Sequence, residues 1–373
     1  MKLAIKKEEF IKGLQRIQGV VDKKSTMPIL ANMLLSADSE GVEIIATDLE
    51  IGLRGRYKAD VHEQGAVTVS AKKVYEIVRE LPEEDVLVQV EEDNRVKISS
   101  GHAEFRLLGL SKDEYPTLPD LADVDIVTLD SAVLKDMIKK TLFAVGDNDT
   151  RYVLNGLYVL MTQAKGGGLN IRMVGTDGHR LSMIDRVIDV KHKDENVIVP
   201  KKTMMELRRL LDEESTSSTP VSLGFTKNHA LFNRDGLVMV SKLIDGNYPN
   251  YLQVVPPRND KKVSVRRDAF SHAVKRVSIL AKEKTNAVKL QLDKHGLVLS
   301  TNNPELGEAR EELQVEYSGD ELTIGFNSRY ILDALSAMDK DGVRLEFNDS
   351  LSPCLIVEEG NEGYKCVVMP MRV

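Results

Sequence analysis

The sequence predicts an α+β chain built as three tandem copies of one domain, each made of two strand–helix–strands units. Three observations predict it. First, a phrase recurs behind alternating apolar runs: Ala46-Thr47-Asp48-Leu49-Glu50, Thr176-Asp177-Gly178-His179-Arg180-Leu181 and Ser300-Thr301-Asn302-Asn303-Pro304. The threonines stand 129 residues apart (47 to 176) and then 125 (176 to 301). That spacing marks whole domains, since solenoid and propeller repeats run at about 20–50 residues. Second, each copy opens on a strand pattern followed by an amphipathic helix. Third, the same strand-then-helix pattern returns halfway through each copy.

The first copy opens with Leu3 and Ile5 alternating, then Phe10, Ile11, Leu14 and Ile17 at helical spacing, with Lys12 and Arg16 on the opposite face. In the second, Val127 and Leu129 precede Val133, Leu134, Met137, Ile138 and Leu142, with Lys135 and Lys139 on the polar side. The third has Val263 and Val265, then Phe270, Val274, Val277 and Leu280, with Lys275 and Arg276 outward. The apolar stripes read as helices packed on sheets, so only the polar faces are functional candidates.

The midpoint pattern runs Val67-Thr68-Val69 into Val74, Ile77, Val78 and Leu81. It returns as Val197-Ile198-Val199 into Met204, Leu207, Leu210 and Leu211, and as Leu322-Thr323-Ile324 into Tyr330, Ile331, Ala334, Leu335 and Met338. Short alternating strands follow, such as 86–90 and 343–347. Asp93-Asn94, Gly166-Gly167-Gly168 and Asn233–Gly236 carry hairpin-turn chemistry, and the Ser215–Thr219 cluster reads as a polar loop. The copies close on Tyr115-Pro116-Thr117-Leu118-Pro119, Tyr248-Pro249-Asn250-Tyr251 and Val368-Met369-Pro370-Met371. Proline ends a strand and fixes its exit path, which sets domains at 1–121, 122–256 and 257–373.

With 373 residues and 42% hydrophobic composition, the chain can bury a core in each copy. Met1 leads into an alternating strand rather than a signal peptide, and no run approaches the roughly 20 apolar residues of a membrane span. Cys354 and Cys366 form no metal or redox motif and read as buried thiols in a reducing compartment. A soluble, cytoplasmic protein is expected. The net charge of −7 argues against a nonspecific basic coat for nucleic acid. Yet 266–284 holds six basic residues against two acidic, and 201–210 four against one. Such helices can present one positive face to a polyanion while the rest repels it.

Six motifs together resemble one family over the whole chain: Thr26-Met27-Pro28-Ile29-Leu30, Thr47-Asp48-Leu49-Glu50, Arg151–Gly156, Thr176–Leu181, Ser241–Gly246 and the terminal Val367–Val373. That family is the bacterial sliding clamp, the beta subunit of DNA polymerase III. The resemblance implies a head-to-tail homodimer whose six domains close a ring around double-stranded DNA, with helices inside and sheets outside. Twelve helices packed ~8–10 Å apart would set a ring of axes ~30–40 Å across. Removing a helix diameter of ~10 Å leaves roughly the room a hydrated duplex needs.

The resemblance implies processivity for a replicative polymerase, no catalytic site and no cofactor or metal. It places DNA contacts at Lys24, Lys72, Asn148 and Tyr152. It places a peptide-binding cleft at Arg151, Leu154, Thr176, Gly178, His179, Arg180, Leu181, Pro249, Gln253, Val254, Asn327, Tyr330, Leu351 and Pro353, with the tail Val367, Val368, Met369, Pro370, Met371, Arg372 and Val373. Leu154, Leu181, Val254, Val367, Met369 and Met371 would give the cleft an apolar floor, and methionine adapts to varied ligands. Implied clients are the polymerase alpha subunit, the clamp loader delta subunit, translesion polymerases, mismatch repair proteins and ligase. A subunit seam is implied at Glu104, Phe105, Leu107, Ile279, Leu280, Glu308 and Arg310. Glu104 stands where many relatives are basic and Arg310 where they are acidic, so an ion pair with exchanged charges is expected.

Two other classes compete. Asp177 and His179 are metal-ligand types and could serve a metal-dependent phosphohydrolase. No second dense set of His, Asp and Glu supports them, and no phosphate-binding Gly-x-x-x-x-Gly-Lys loop is present. A purely structural oligomer fits the repeats but leaves the apolar, methionine-bearing tail unexplained.

Overall fold

The computed structural model describes residues 1–21, 27–82, 85–119, 124–213 and 219–372. Lys24, Val373 and most of the Ser215–Thr219 loop lie outside them. The described chain forms two compact units, 1–132 with 205–243, and 133–204 with 244–373.

The first unit is organised on a 13-stranded sheet. Its order from one edge is 126–130, 220–225, 229–234, 237–242, 51–57, 41–47, 32–38, 65–70, 103–110, 95–100, 85–90, 2–6 and 60–63. Helices α1 (Lys7–Ile17) and α2 (Ala71–Glu80) pack on it and on each other. The apolar stripe read from the sequence is the buried one: Phe10, Leu14 and Ile17 of α1, Val74 and Val78 of α2. Gly13 lets α1 approach closely, since a Cβ there would meet the Ile44 side chain at 2.6 Å. Ser70 caps α2 by accepting from the Lys73 backbone N–H.

The second unit holds an eight-stranded sheet, ordered 195–200, 156–163, 169–176, 180–188, 364–368, 354–358, 342–347 and 261–266. A separate four-stranded sheet runs 307–313, 296–303, 287–293 and 322–327. Helices α3 (Ser131–Thr141) and α4 (Lys201–Leu211) belong to the central copy, α5 (Arg267–Ser278) and α6 (Ser328–Ala337) to the last. Asn327 caps α6, its side chain accepting from Arg329 N–H at 3.0 Å. The six helices described are those expected, two per copy, each behind its predicted strand.

One relationship recurs inside each unit. Strand 237–242 runs antiparallel beside 51–57, placing Ser241 opposite Ile51. Strand 364–368 runs antiparallel beside 180–188, placing Val368 opposite Arg180. In both, the closing strand of one copy zips onto the strand that follows the repeated threonine turn of the copy before it.

Candidate functional site

The Thr176–Leu181 turn is built by its own side chains. Thr176 Oγ1 donates to the Arg180 carbonyl at 2.6 Å and accepts from Gly178 N–H at 3.1 Å. Asp177 Oδ1 accepts from the His179 and Arg180 backbone N–H groups at 2.9 and 3.0 Å. Its Oδ2 accepts from Arg180 Nε at 3.0 Å. Gly178 sits at φ +83°, and a Cβ there would lie 2.8 Å from the Arg151 guanidinium. Asp177 is therefore committed to holding the turn. Among the described residues no group of three or more His, Cys, Asp or Glu could hold a metal ion.

Around the turn, two arginines are also committed. Arg151 forms a fork with Asp149, Nε to Oδ1 at 3.0 Å and Nη2 to Oδ2 at 2.8 Å, and donates to the Asp177 carbonyl. Those bonds hold the Asp149 carboxyl down at about 2. Arg180 bridges Asp177 and Asp333, and its guanidinium lies over the Tyr330 ring, 4.6 Å from the centroid, and over Phe143 at 5.6 Å. The His179 ring stacks near Tyr330 at 6.4 Å and is exposed to solvent.

The tail crosses this turn. Val368 and Val367 pair with Arg180 and Leu181, Met369 N–H donates to the His179 carbonyl at 2.9 Å, and Met371 bridges to Gly325. The sequence cannot show this pairing, because nearly half the chain separates the strands. Beneath it, Leu181, Val367, Val174, Met183, Leu355 and Val357 form one buried apolar cluster. Tyr158, Tyr248, Tyr251 and Val255 pack against the cluster. Tyr158 and Tyr248 stack at 4.7 Å and 7°, and the Tyr248 hydroxyl donates to the Val174 carbonyl. Burial raises the Tyr248 phenol well above its ordinary value.

The structure thus joins Arg151, Thr176, Gly178, His179, Arg180, Leu181, Tyr330, Val367, Val368 and Met369 by direct contacts, while Met371 meets Gly325. Leu154 is buried and Asn327 is the α6 cap. Pro249, Gln253, Leu351 and Arg372 stand exposed, while Pro353 and Pro370 are half-buried. Val254 is 36% exposed, as a residue that meets a ligand has to be, and its neighbour Val255 packs on the cluster. Tyr158, Tyr248, Tyr251 and Leu355 were missed, although Tyr248 opens the same Tyr-Pro phrase that closes the first copy.

Of the residues expected on DNA, Lys72 lies 3.7 Å from Glu76, Tyr152 is 60% exposed, and Asn148 is exposed at φ +55°. The basic helix faces are partly consumed within the chain. Arg16 is drawn in against Glu213 at 2.6 Å and over Tyr57. Lys139 and Lys140 both reach Asp339. Arg276 forks onto Glu311, and Arg267 donates to the Met338 carbonyl. Arg208, Arg266, Lys275, Lys282 and Lys284 remain exposed.

At the expected seam, Phe105 and Leu107 share one face of strand 103–110, and Ile279 is 74% exposed. Leu280 is half-buried and Glu308 exposed. Glu104 bonds Lys97 and Arg106 of its own chain, and Arg310 bonds Glu312.

The third copy of the phrase needs a correction of one residue. Asn32, Gly156 and Ala287 open equivalent strands, paired with Ser70, Pro200 and Asn327. Continuing their hairpin registers sets them opposite Thr47, Thr176 and Asn302. Asn302, not Thr301, is the counterpart. Thr301 points back to donate to the Ala287 carbonyl, and Asn303 Oδ1 takes the aspartate's part by accepting from Glu305 N–H.

Comparison with known proteins matches the whole length. Models of the DNA polymerase III beta subunit match as its N-terminal domain over residues 1–119, its central domain over 128–250 and its C-terminal domain over 252–372. The beta sliding clamp of Caulobacter vibrioides is 37% identical, with all of both chains covered. A Pseudomonas aeruginosa sliding clamp solved bound to griselimycin superposes with a TM-score of 0.94 at 36% identity, covering 100% of each chain. The Bacillus subtilis sliding clamp gives 0.95 at 29% identity, covering 100% of this chain and 99% of that one.

Proposed function

The chain belongs to the DNA polymerase III beta subunit family, the sliding clamps, and from that premise we propose how its surfaces serve a processivity factor. Two copies close a ring around duplex DNA, and enclosure rather than tight binding keeps the ring in place. The exposed cations Lys72, Arg208, Arg266, Lys275, Lys282 and Lys284, with Asn148 and Tyr152, are the groups that meet phosphates. Such contacts carry no sequence information, weaken with salt and permit sliding.

The turn at Thr176–Leu181 and the tail crossing it form the docking cleft for client proteins. The single observation that carries this is the pairing of Val367–Met369 with His179–Leu181 over a buried apolar cluster. The partly buried Tyr158, Tyr248, Tyr251 and Val255 that line that cluster, beside the exposed His179, suit a short extended peptide with a glutamine at one end and bulky apolar residues at the other. Polymerase alpha subunit, clamp loader delta subunit, translesion polymerases, mismatch repair proteins and ligase are the clients this reading assigns. The three domains, 1–121, 122–256 and 257–373, would each supply two helices to the ring.

Titrating a labelled pentapeptide of that kind tests the cleft. Tyr330→Ala removes the ring against Arg180 and His179 and should weaken binding about tenfold, as loss of an aromatic anchor does at interfaces. Affinity unchanged by Tyr330→Ala and by Leu181→Ala together would overturn the assignment.

A further inference from the structure

The opening strands of the first and last copies match residue for residue. Strand 2–6 runs into α1 at Lys7 and strand 261–266 into α5 at Arg267, so Leu3, Ile5 and Phe10 correspond to Val263, Val265 and Phe270. On one side each pairs antiparallel with the equivalent neighbour, Ile5 opposite Val86 and Val265 opposite Val343. The other side differs. In the first copy the chain's own strand 60–63 covers it, with Leu3 opposite Val61, Ala4 opposite Asp60 and Lys2 opposite Glu63. In the last copy strand 261–266 ends its sheet. Residues 314–321, which occupy the same interval of the chain as 58–64, form no strand.

The uncovered side opens on a groove of about 510 Å³, lined by Lys262, Ser264 and Arg266 of the strand, Phe270 of α5, and Gln314 and Glu316. That volume lies within the range of about 300–1,000 Å³ that binding clefts occupy. Arg267 N–H donates to the Asp341 carbonyl, on the paired side. Backbone groups alternate along a strand, so Val263 and Val265 bond toward strand 342–347, while the N–H and C=O groups of Lys262, Ser264 and Arg266 point to the open edge. Such an edge is a template for one more strand. Lys262 and Arg266 are exposed. Lys262 lies 4.0 Å from Glu346, a carboxylate that Arg344 already holds at 2.7 Å.

We propose that this groove takes an extended acidic segment of another protein, added along strand 261–266 as 60–63 is added along 2–6. The vacant backbone groups call for an extended chain. The cations Lys262 and Arg266, at the two ends of the edge, call for carboxylates, and Phe270 between strand and helix calls for an apolar residue among them. Asp60-Val61-His62-Glu63 shows that pattern in the first copy, Glu63 standing opposite Lys2. An edge of five residues runs about 17 Å, room for four or five residues of an added strand. No residue lining the groove belongs to the Thr176–Leu181 turn or to the tail, so this site stands independently of the client cleft.

The probe is a fluorescent peptide copying residues 58–65, Lys-Ala-Asp-Val-His-Glu-Gln-Gly, titrated against the full chain by anisotropy. Saturable binding below about 1 mM is expected. The same peptide with Asp60→Asn and Glu63→Gln should bind at least about fivefold more weakly. In the protein, Ser264→Pro removes the central N–H of the open edge, a place where a strand tolerates proline, and should weaken binding about tenfold. Lys262→Glu should weaken the acidic peptide about fivefold and the neutral one less than about twofold. Both variants should keep the thermal midpoint of the unmodified chain, which separates loss of the site from loss of the fold. Binding that both variants leave unchanged, or that Leu181→Ala abolishes, would overturn the proposal. No saturable binding would overturn it too, and protection of the Lys262 and Ser264 amides from hydrogen exchange would then show residues 314–321 closing the groove themselves. If Ser264→Pro shifts the association state and leaves peptide binding intact, a second copy covers the edge and the proposal fails.

Discussion

Leu49 and Gly178 occupy the same place in two copies of one turn, at φ +73° and +83°. Around each, the bonds repeat one for one. Thr47 Oγ1 donates to the Ile51 carbonyl and accepts from Leu49 N–H, and Asp48 Oδ1 accepts from Glu50 and Ile51 N–H. The geometry is therefore set by the Thr-Asp pair, and the third position must follow it whatever its side chain.

A leucine in the left-handed region carries a strain of about 1–2 kcal/mol. Leu49→Gly relieves that strain but frees the unfolded chain, a loss of about 0.4–1 kcal/mol. The net expectation is a small gain, about 0.5–1 kcal/mol, seen as a higher denaturant midpoint with an unchanged slope. Gly178→Ala should go the other way by about 1–2 kcal/mol, because the new Cβ meets the Arg151 guanidinium as well as the unfavourable φ.

Lys140 is 4% exposed and is held by Asp136 at 2.6 Å and Asp339 at 2.7 Å, with Glu358 3.9 Å away. Glu358, 1% exposed, also accepts from Lys340 N–H and Asn361. Lys140→Met leaves that carboxylate without its cation and should cost about 3–5 kcal/mol, the usual result of breaking a buried pair from one side. Changing Lys139, which reaches the exposed side of Asp339, should cost about 0–1 kcal/mol. Equal effects in thermal denaturation would contradict this division.

Because Arg151 and Arg180 are already bonded to carboxylates, the cleft should bind a neutral peptide and gain little from an acidic one. Its affinity should change less than about twofold between 50 and 200 mM salt, whereas phosphate contacts should weaken steeply. The pH response follows from Asp149, whose folded pKa lies below its unfolded value. The fork to Arg151 is therefore fully present above pH ~4 and is lost as pH falls toward 2. Asp149→Asn should remove that acid limb from peptide binding, which fluorescence titration from pH 5 down to about pH 2 would register.

Much of the fold was legible because its signals are local. Alternation at Leu3 and Ile5, and helical spacing at Phe10, Leu14 and Ile17, need no distant partner to be read. Repetition of the Thr-Asp phrase located the turn that anchors the site. What escaped depends on contacts far apart in the chain. Arg16 looked like a polar-face cation, yet Glu213, nearly 200 residues on, draws it in. Matching threonines sets the third phrase one residue off, because Asn302 stands in the threonine's place and Thr301 directly before it. Val254 and Val255 are alike in sequence, and only the fold shows that Val255 packs on the apolar cluster while Val254 faces solvent. Leu108 looks like a core residue to a hydropathy reading; its exposure appears only once residues 103–108 are found paired with strand 95–100 on one side.

Retention on DNA tests the central claim most directly. Protein loaded by a cognate clamp loader with ATP is compared on nicked circles and on the same circles cut once. A topological ring stays on the circles and runs off the linear ends, and at moderate salt only the linear DNA loses it. Equal retention on both, with a loader proven active, would contradict the ring.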